Sequence, residues 1–274
     1  MNIHWTHKKT WLAFAAVMVV GTGTLVAASF YSAQHYSCNT LVIDVKGGLV
    51  TSYATTPVMQ DESGGYVTYS DQVAKIIEEV ETSKTVKAII VDVDSYGGLP
   101  VAGEEIADAL KRTGKPNAAL IRSAGLSSAY WAASGADRIF ASRNSDVGSI
   151  GASMQLRNFV EKNKKEGIKV TSITSGQFKG IGDPNRELTD EEKKLLQNDV
   201  DKIQENFVKG ISENREMTLE AVEKLADGAS MLGDKAFDKG LIDEIGGLAE
   251  VKKYLASVIG EEVRVCSPPA PVEN

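Results

Sequence analysis

The chain has 274 residues, 42% hydrophobic and 24% charged, with 37 acidic against 30 basic side chains and a formal net charge of −7. That composition suits a globular protein with a real core, and the acidic excess without a basic stripe argues against a nucleic-acid binder. Two cysteines, Cys38 and Cys266, have no CxxC spacing and no histidine beside them, which argues against a metal site; no cofactor is expected either. The two could pair in an oxidising compartment, but nothing in the sequence shows that they meet.

At the amino terminus, Lys8 and Lys9 precede an uncharged stretch from Thr10 to Gln34. Its apolar heart, Trp11 to Tyr31, would span roughly 31 Å as a helix, enough to cross a bilayer core. Trp11 and Tyr31 sit where interfacial aromatics belong, and the two lysines place the amino terminus in the cytoplasm. Residues 1–35 are therefore expected to form a cytoplasmic stub and membrane anchor, with everything after them outside the cytoplasm. A cleaved signal peptide is the competing reading, since Ala28, Ser29, Ser32 and Ala33 offer small residues for cleavage. A buried core helix is the bland one.

Residues 36–60 read as a tether leading into a first strand, Leu41 to Val45. Ser70 to Thr82 has Val73, Ile76, Ile77 and Val80 at helical spacing. The β-branched run Val86 to Val93 predicts a strand buried on both faces. A helix over Val101 to Arg112, a strand over Asn117 to Ile121 and a helix over Leu126 to Ser134 follow. Further strands are expected at Arg138 to Ala141 and Ile168 to Ile173, with a helix around Phe159 to Lys165. Thr189 and Glu192 form a capping box for a long helix striped by Leu196, Val200, Ile203, Phe207 and Ile211. Shorter helices are expected over 218–226, 234–239 and 248–257, and residues 259–274 read as a tail. Alternating strands and helices predict an α/β domain with a largely parallel sheet over residues 36–258.

All three histidines, His4, His7 and His35, lie before residue 36. A serine hydrolase built from the rest of the chain must use another base, and lysine is the usual substitute. Ser127, after the strand 117–121 and at a helix start, is the candidate nucleophile; Ser123 and Ser128 rival it on spacing, and a plain helix cap is the structural alternative. Lys179, in the glycine-bracketed loop Ser175-Gly-Gln-Phe-Lys179-Gly, is the candidate base. A lysine base must be neutral, which desolvation favours; the alternative is an ordinary exposed lysine. Backbone N–H groups at Gly97, Gly98 and Ser128 are candidate oxyanion donors, and a hydroxyl in Asp146-Val-Gly148-Ser149-Ile-Gly151 is suited to orient an amine.

Together these pieces resemble the signal peptide peptidase A family, membrane-associated relatives of the Clp protease proteolytic subunit, over roughly residues 40–250. Ser95-Tyr-Gly-Gly98 is similar to the family's Ser-Pro-Gly-Gly, and Ser127-Ser-Ala-Tyr130-Trp to its Ser-Gly-Gly-Tyr-Tyr. Gly148-Ser-Ile-Gly151 matches outright. Ser175-Gly-Gln-Phe-Lys179 with Pro184-Asn-Arg-Glu-Leu-Thr189 resembles the lysine segment. Asn214-Arg215, Ala226-Asp-Gly228 and Gly240-Leu-Ile-Asp-Glu-Ile-Gly-Gly247 resemble the carboxy-terminal signature. The resemblance implies a crotonase-like or Clp-protease-like α/β fold, a Ser127–Lys179 dyad, Ser149 orienting the lysine, and Gly97-Gly98 in the oxyanion hole. It also implies a ring-shaped homo-oligomer and apolar peptide substrates such as cleaved signal peptides. Tyr96, Ser128 and Ala129 depart from the family's proline and Gly-Gly. Those departures keep open a catalytically weak oligomeric membrane scaffold, beside a quality-control protease for membrane proteins and, more remotely, an acyl-CoA enzyme of the crotonase group.

Overall fold

The structure is a computed structural model that describes residues 38–52 and 66–268. The anchor expected before residue 36 lies outside the described residues, and among those described no helix is long and apolar enough to cross a membrane.

Nine strands form one sheet in the spatial order β2-β1-β3-β4-β5-β8, with β9 on β1 and β6 bridging β4 and β7. The strands are β1 Thr40–Val50, β2 Val67–Tyr69, β3 Ala88–Gly98, β4 Asn117–Leu126, β5 Arg138–Ala141, β6 Asp146–Gly148, β7 Ser230–Leu232, β8 Glu244–Ile245 and β9 Val265–Cys266. Every pairing is parallel except β6 with β7. The β-branched run 89–93 has no exposed member, apart from half-buried Asp92, because β3 is central and covered on both faces.

Helices α1 Ser70–Glu81, α2 Pro100–Arg112 and α3 Ser128–Ser134 cover one face of this sheet. Pro100 opens α2 at its first turn, where its missing N–H costs nothing. The remaining helices are α4 Val160–Lys165, α5 Asp190–Asn214, α6 Leu219–Glu223, α7 Gly233–Asp238 and α8 Leu248–Ile259. Val251 and Leu255 of α8 pack on Ile90, Leu120 and Phe140 across the other face. Cys38 and Cys266 are joined by a disulfide, their Cα atoms 5.7 Å apart, which ties the first described residue to the last strand.

Three differences from the sequence reading have physical causes. β3 does not stop at Val93 but runs to Gly98 through a register shift, because Ser95 still finds Gly125 of β4. β4 likewise runs to Leu126, pairing with β5 through Ile121 and with β6 from Ala124. The strand expected over Ile168–Ile173 does not form. Its apolar residues find no sheet edge among the described residues, and Ile173 is 94% exposed.

Candidate active site

Strand β4 changes partner at Arg122–Ser123, and that changeover builds the site. The buried Ser145 hydroxyl donates to Ile121 O and Arg122 O, holding the point where β5 and β6 diverge. Asp94 accepts from Ala124 N–H at 3.2 Å. The second half of β4 then runs beside β6, and Ser127 N–H donates to Gly148 O at 2.8 Å, extending that ladder by one residue. The chain turns there, and Ser127 adopts φ 50°, ψ −128° before α3 begins. A non-glycine residue with positive φ is a strained, over-determined position. Ser127 O accepts from Trp131 N–H at 3.1 Å, but its side chain makes no capping bond. The plain helix-cap reading is therefore not what this serine does: its hydroxyl is partly exposed and uncommitted.

Two neighbours press against this turn. Gly97, at φ 102°, lies so close that a Cβ there would stand 2.9 Å from Leu126 O and from Ser127 Cβ, and 3.2 Å from Ser128 N. Gly103 of α2 meets Ser128 O, where a Cβ would stand 2.3 Å away. Only glycine permits either approach. Gly97 N–H donates to Ser95 Oγ at 3.0 Å, and Ser95 Oγ donates to Gly47 O at 2.6 Å, so that N–H is already used. Leu99 N–H donates to Leu49 O at 2.8 Å. A Cβ on Gly98 would meet Leu49 O at 2.2 Å, so the strand ends are fixed backbone to backbone.

The rival serines are placed differently. Ser128 is buried and its Oγ has no hydrogen-bond partner. Ser123 faces a separate cleft of about 770 Å³ with Asp94, Arg122 and Asn144. Ser149 follows β6 with φ 50°, and its hydroxyl donates to Gly228 O at 3.0 Å while its N–H donates to Ala229 O at 3.1 Å. Lys179 is exposed, and among the described residues its ammonium makes no hydrogen bond or ion pair. The structure thus brings Ser127, Gly97, Ser128 and Gly148 together, and among the described residues the Lys179 ammonium bonds to none of them. Tyr96 is 78% exposed and stays outside the Gly97–Ser127 contact, and Ala129 is buried in the core.

Sequence reasoning missed the parts that act through backbone. Gly148 O as anchor of the Ser127 N–H, Gly103 as the seat of α3, and Gly228 O as acceptor for Ser149 have no side-chain signature. The glycines themselves, among larger neighbours, were the only legible sign.

A serine at a strand-to-helix turn beside a glycine strand, its hydroxyl free, is an arrangement suited to a nucleophile. Residues 109–261 match the family described as peptidase family S49, and this chain belongs to that family. The chain is 32% identical over 236 residues to a protein of Methanocaldococcus jannaschii assigned as a protease, covering 84% of this chain and 72% of that one. It is 28% identical to Protease 4 of Haemophilus influenzae over 83% of this chain but only 36% of that one. With the chloroplastic serine protease SPPA of Arabidopsis thaliana it shares 28% identity over 68% of this chain and 28% of that one. Against those two longer relatives the chain spans about a third of their length. Among solved structures, a ClpP1 mutant from Listeria monocytogenes aligns over 77% of this chain and 93% of that one, with 15% identity and a TM-score of 0.48. The protein is a serine peptidase.

Proposed function

We propose that Ser127 is the nucleophile and Lys179 the general base of a Ser-Lys peptidase, held near a membrane by residues before 36 and acting on apolar peptides such as cleaved signal peptides. The observation that carries the nucleophile is the free Ser127 hydroxyl at a φ of 50°, packed between Gly97 and Gly148. In acylation the Ser127 Oγ–H proton passes to Lys179 Nζ as Oγ attacks the scissile carbonyl. The developing oxyanion is held by the Gly98 and Ser128 N–H groups. Lys179 then returns the proton to the leaving amine and takes one from water for deacylation. Gly97 serves by its bare Cα, which lets the strand approach Ser127, since its N–H is bound to Ser95.

Lys179 completes this site from a neighbouring subunit. Supporting this, Trp131 of α3 stacks on Phe207 of α5 at 4.8 Å, whereas the lysine loop is fastened near Glu192 of the same helix. At 1.5 Å per residue those two points on α5 lie about 22 Å apart. Desolvation on assembly would also favour the neutral amine a base requires. The Cys38–Cys266 disulfide supports placement outside the cytoplasm, where such bonds persist. The test is peptide hydrolysis by the assembled protein beside Ser127→Ala and Lys179→Ala, with an unfolding transition for each. Both variants are expected to be folded and inactive; full turnover in folded Ser127→Ala overturns the assignment.

A further inference from the structure

The loop that carries Lys179 is anchored at one point by an unusually complete polar clamp. Gly180 O, one residue beyond the lysine, accepts from Asp183 N–H at 3.2 Å and from Arg186 Nη2. The same guanidinium lies fork to fork on Glu192, with Nη1 2.7 Å from Oε2 and Nη2 on Oε1, and Nη1 also donates to Glu187 O at 3.1 Å. Glu192 is 3% exposed. Its carboxylate accepts from Thr189 N–H at 3.0 Å, and its own N–H donates to Thr189 Oγ1 at 3.2 Å. One buried carboxylate in the first turn of α5 therefore holds the helix start and the arginine, and the arginine holds the backbone beside Lys179.

We propose that Arg186 is a positioning residue for Lys179, fixing through Gly180 O where the lysine backbone stands relative to α5. This rests on the reading of Lys179 as the base. A lysine side chain is long and flexible, so its reach to a serine on another subunit is only as precise as the backbone it grows from. Arg186 suits the task because its planar fork meets Glu192 and still has a donor for Gly180 O. A Cβ on Gly180 would stand 3.4 Å from Nη2, an ordinary contact, so the guanidinium packs directly against the loop backbone at this residue. The Arg186 hydrogen bonds, and after them the Thr189 N–H, hold the Glu192 carboxyl down to about 2. The clamp is consequently charged, and closed, throughout the neutral and alkaline range in which a lysine base works.

The experiment uses the assembled full chain as wild type, Arg186→Ala, Arg186→Lys, Lys179→Ala and the Lys179→Ala/Arg186→Ala double variant. Peptide turnover and the rate of labelling by a fluorophosphonate are measured, with assembly size and unfolding temperature for each. Arg186→Ala is expected to lower kcat by roughly 10- to 100-fold with KM within about twofold, because placement and not substrate binding is lost. The same change is expected to add nothing to the residual labelling rate of Lys179→Ala, since the two act as one unit. An equal further drop in that background shows a general structural role and overturns the proposal. Should Arg186→Ala fail to fold, Arg186→Lys keeps the charge without the fork. A loss of kcat in that folded variant supports the clamp, and wild-type kcat overturns it. Full turnover in Lys179→Ala would instead defeat the base assignment and the proposal with it, whereas wild-type kcat in Arg186→Ala beside an inactive Lys179→Ala defeats the clamp alone.

Discussion

The turn at Ser127 and the arm that carries Lys179 are built on opposite principles. Ser127 sits where three strands and two helices converge, with Ala129, Tyr130, Trp131, Ala132 and Ala133 of α3 all buried in the main core. Its position is set by backbone contacts too close for any side chain. The arm from Gly151 to Leu188 contains only one short helix, α4, and no strand. It is held by polar bonds, within itself from Phe159 N–H to Pro184 O at 2.7 Å, Asn163 to Asn185 at 2.8 Å and Ser172 to Asp183 at 2.7 Å, and to α5 through Arg186 on Glu192 and Gln177 on Glu191. Meanwhile Met154, Leu156, Ile168, Val170 and Ile173 are exposed. A core can store the strain of the Ser127 turn because packing over-determines it. An arm fastened by polar bonds and one clamp to α5 keeps its shape, but its exposed apolar residues find no core to bury in.

The largest effect is expected at Ser127, the proposed nucleophile. Ser127→Ala is expected to lower turnover by at least about 10³-fold with little change in unfolding temperature, since no other bond uses that hydroxyl. Gly97→Ala tests whether the strained turn depends on bare backbone. Its Cβ would press on Ser127 Cβ and Leu126 O, so a loss on the order of 10²-fold in kcat and about 1–3 kcal/mol in stability is expected from urea unfolding and peptide hydrolysis. Alanine tolerated at 97 would mean that the strand can retreat.

Mixing sharpens the contrast between the two regions. If the arm serves a neighbour, combining inactive Ser127→Ala and Lys179→Ala protomers restores roughly one quarter of wild-type activity after exchange, the random-pairing value for a symmetric ring. No recovery after demonstrated subunit exchange would place the dyad within one chain.

The disulfide belongs to the core region and should leave the arm untouched. Cys38→Ala is expected to cost about 2–5 kcal/mol in urea unfolding, through the long loop that the bond closes. The smallest effect concerns the clamp. Glu192 has a folded-state pKa depressed to about 2 against a usual value of 4.5, so its stabilisation is complete above that usual value and fades as the pH falls through the folded one. Acid proteolysis should accordingly open the arm between about pH 4 and 2 before the Ser127 core is cut.

Much of this molecule was legible in its residues. The β-branched run 89–93, the Thr189–Glu192 capping box and Pro100 at a helix start state local preferences that the fold then obeys. The missing histidines pointed to lysine, and Gly-Gly before Pro100 marked a backbone feature near the serine. What one sequence could not supply was long-range geometry. Strands β3 and β4 outrun their apolar runs because a neighbouring strand continues to pair with Ser95 and Gly125. Ile168–Ile173 has strand composition but no strand partner among the described residues, so hydrogen bonding vetoes what propensity favours. Cys38 and Cys266 are 228 positions apart and meet only because β9 lies on β1. The sequence by itself determined the local settings of this chain, its strands, caps and glycine turns, because those depend on residue type and short spacing. Tertiary structure alone decided which parts meet, as Ser127 does with Gly97 and Gly148, because such contacts depend on how the sheet closes around β4.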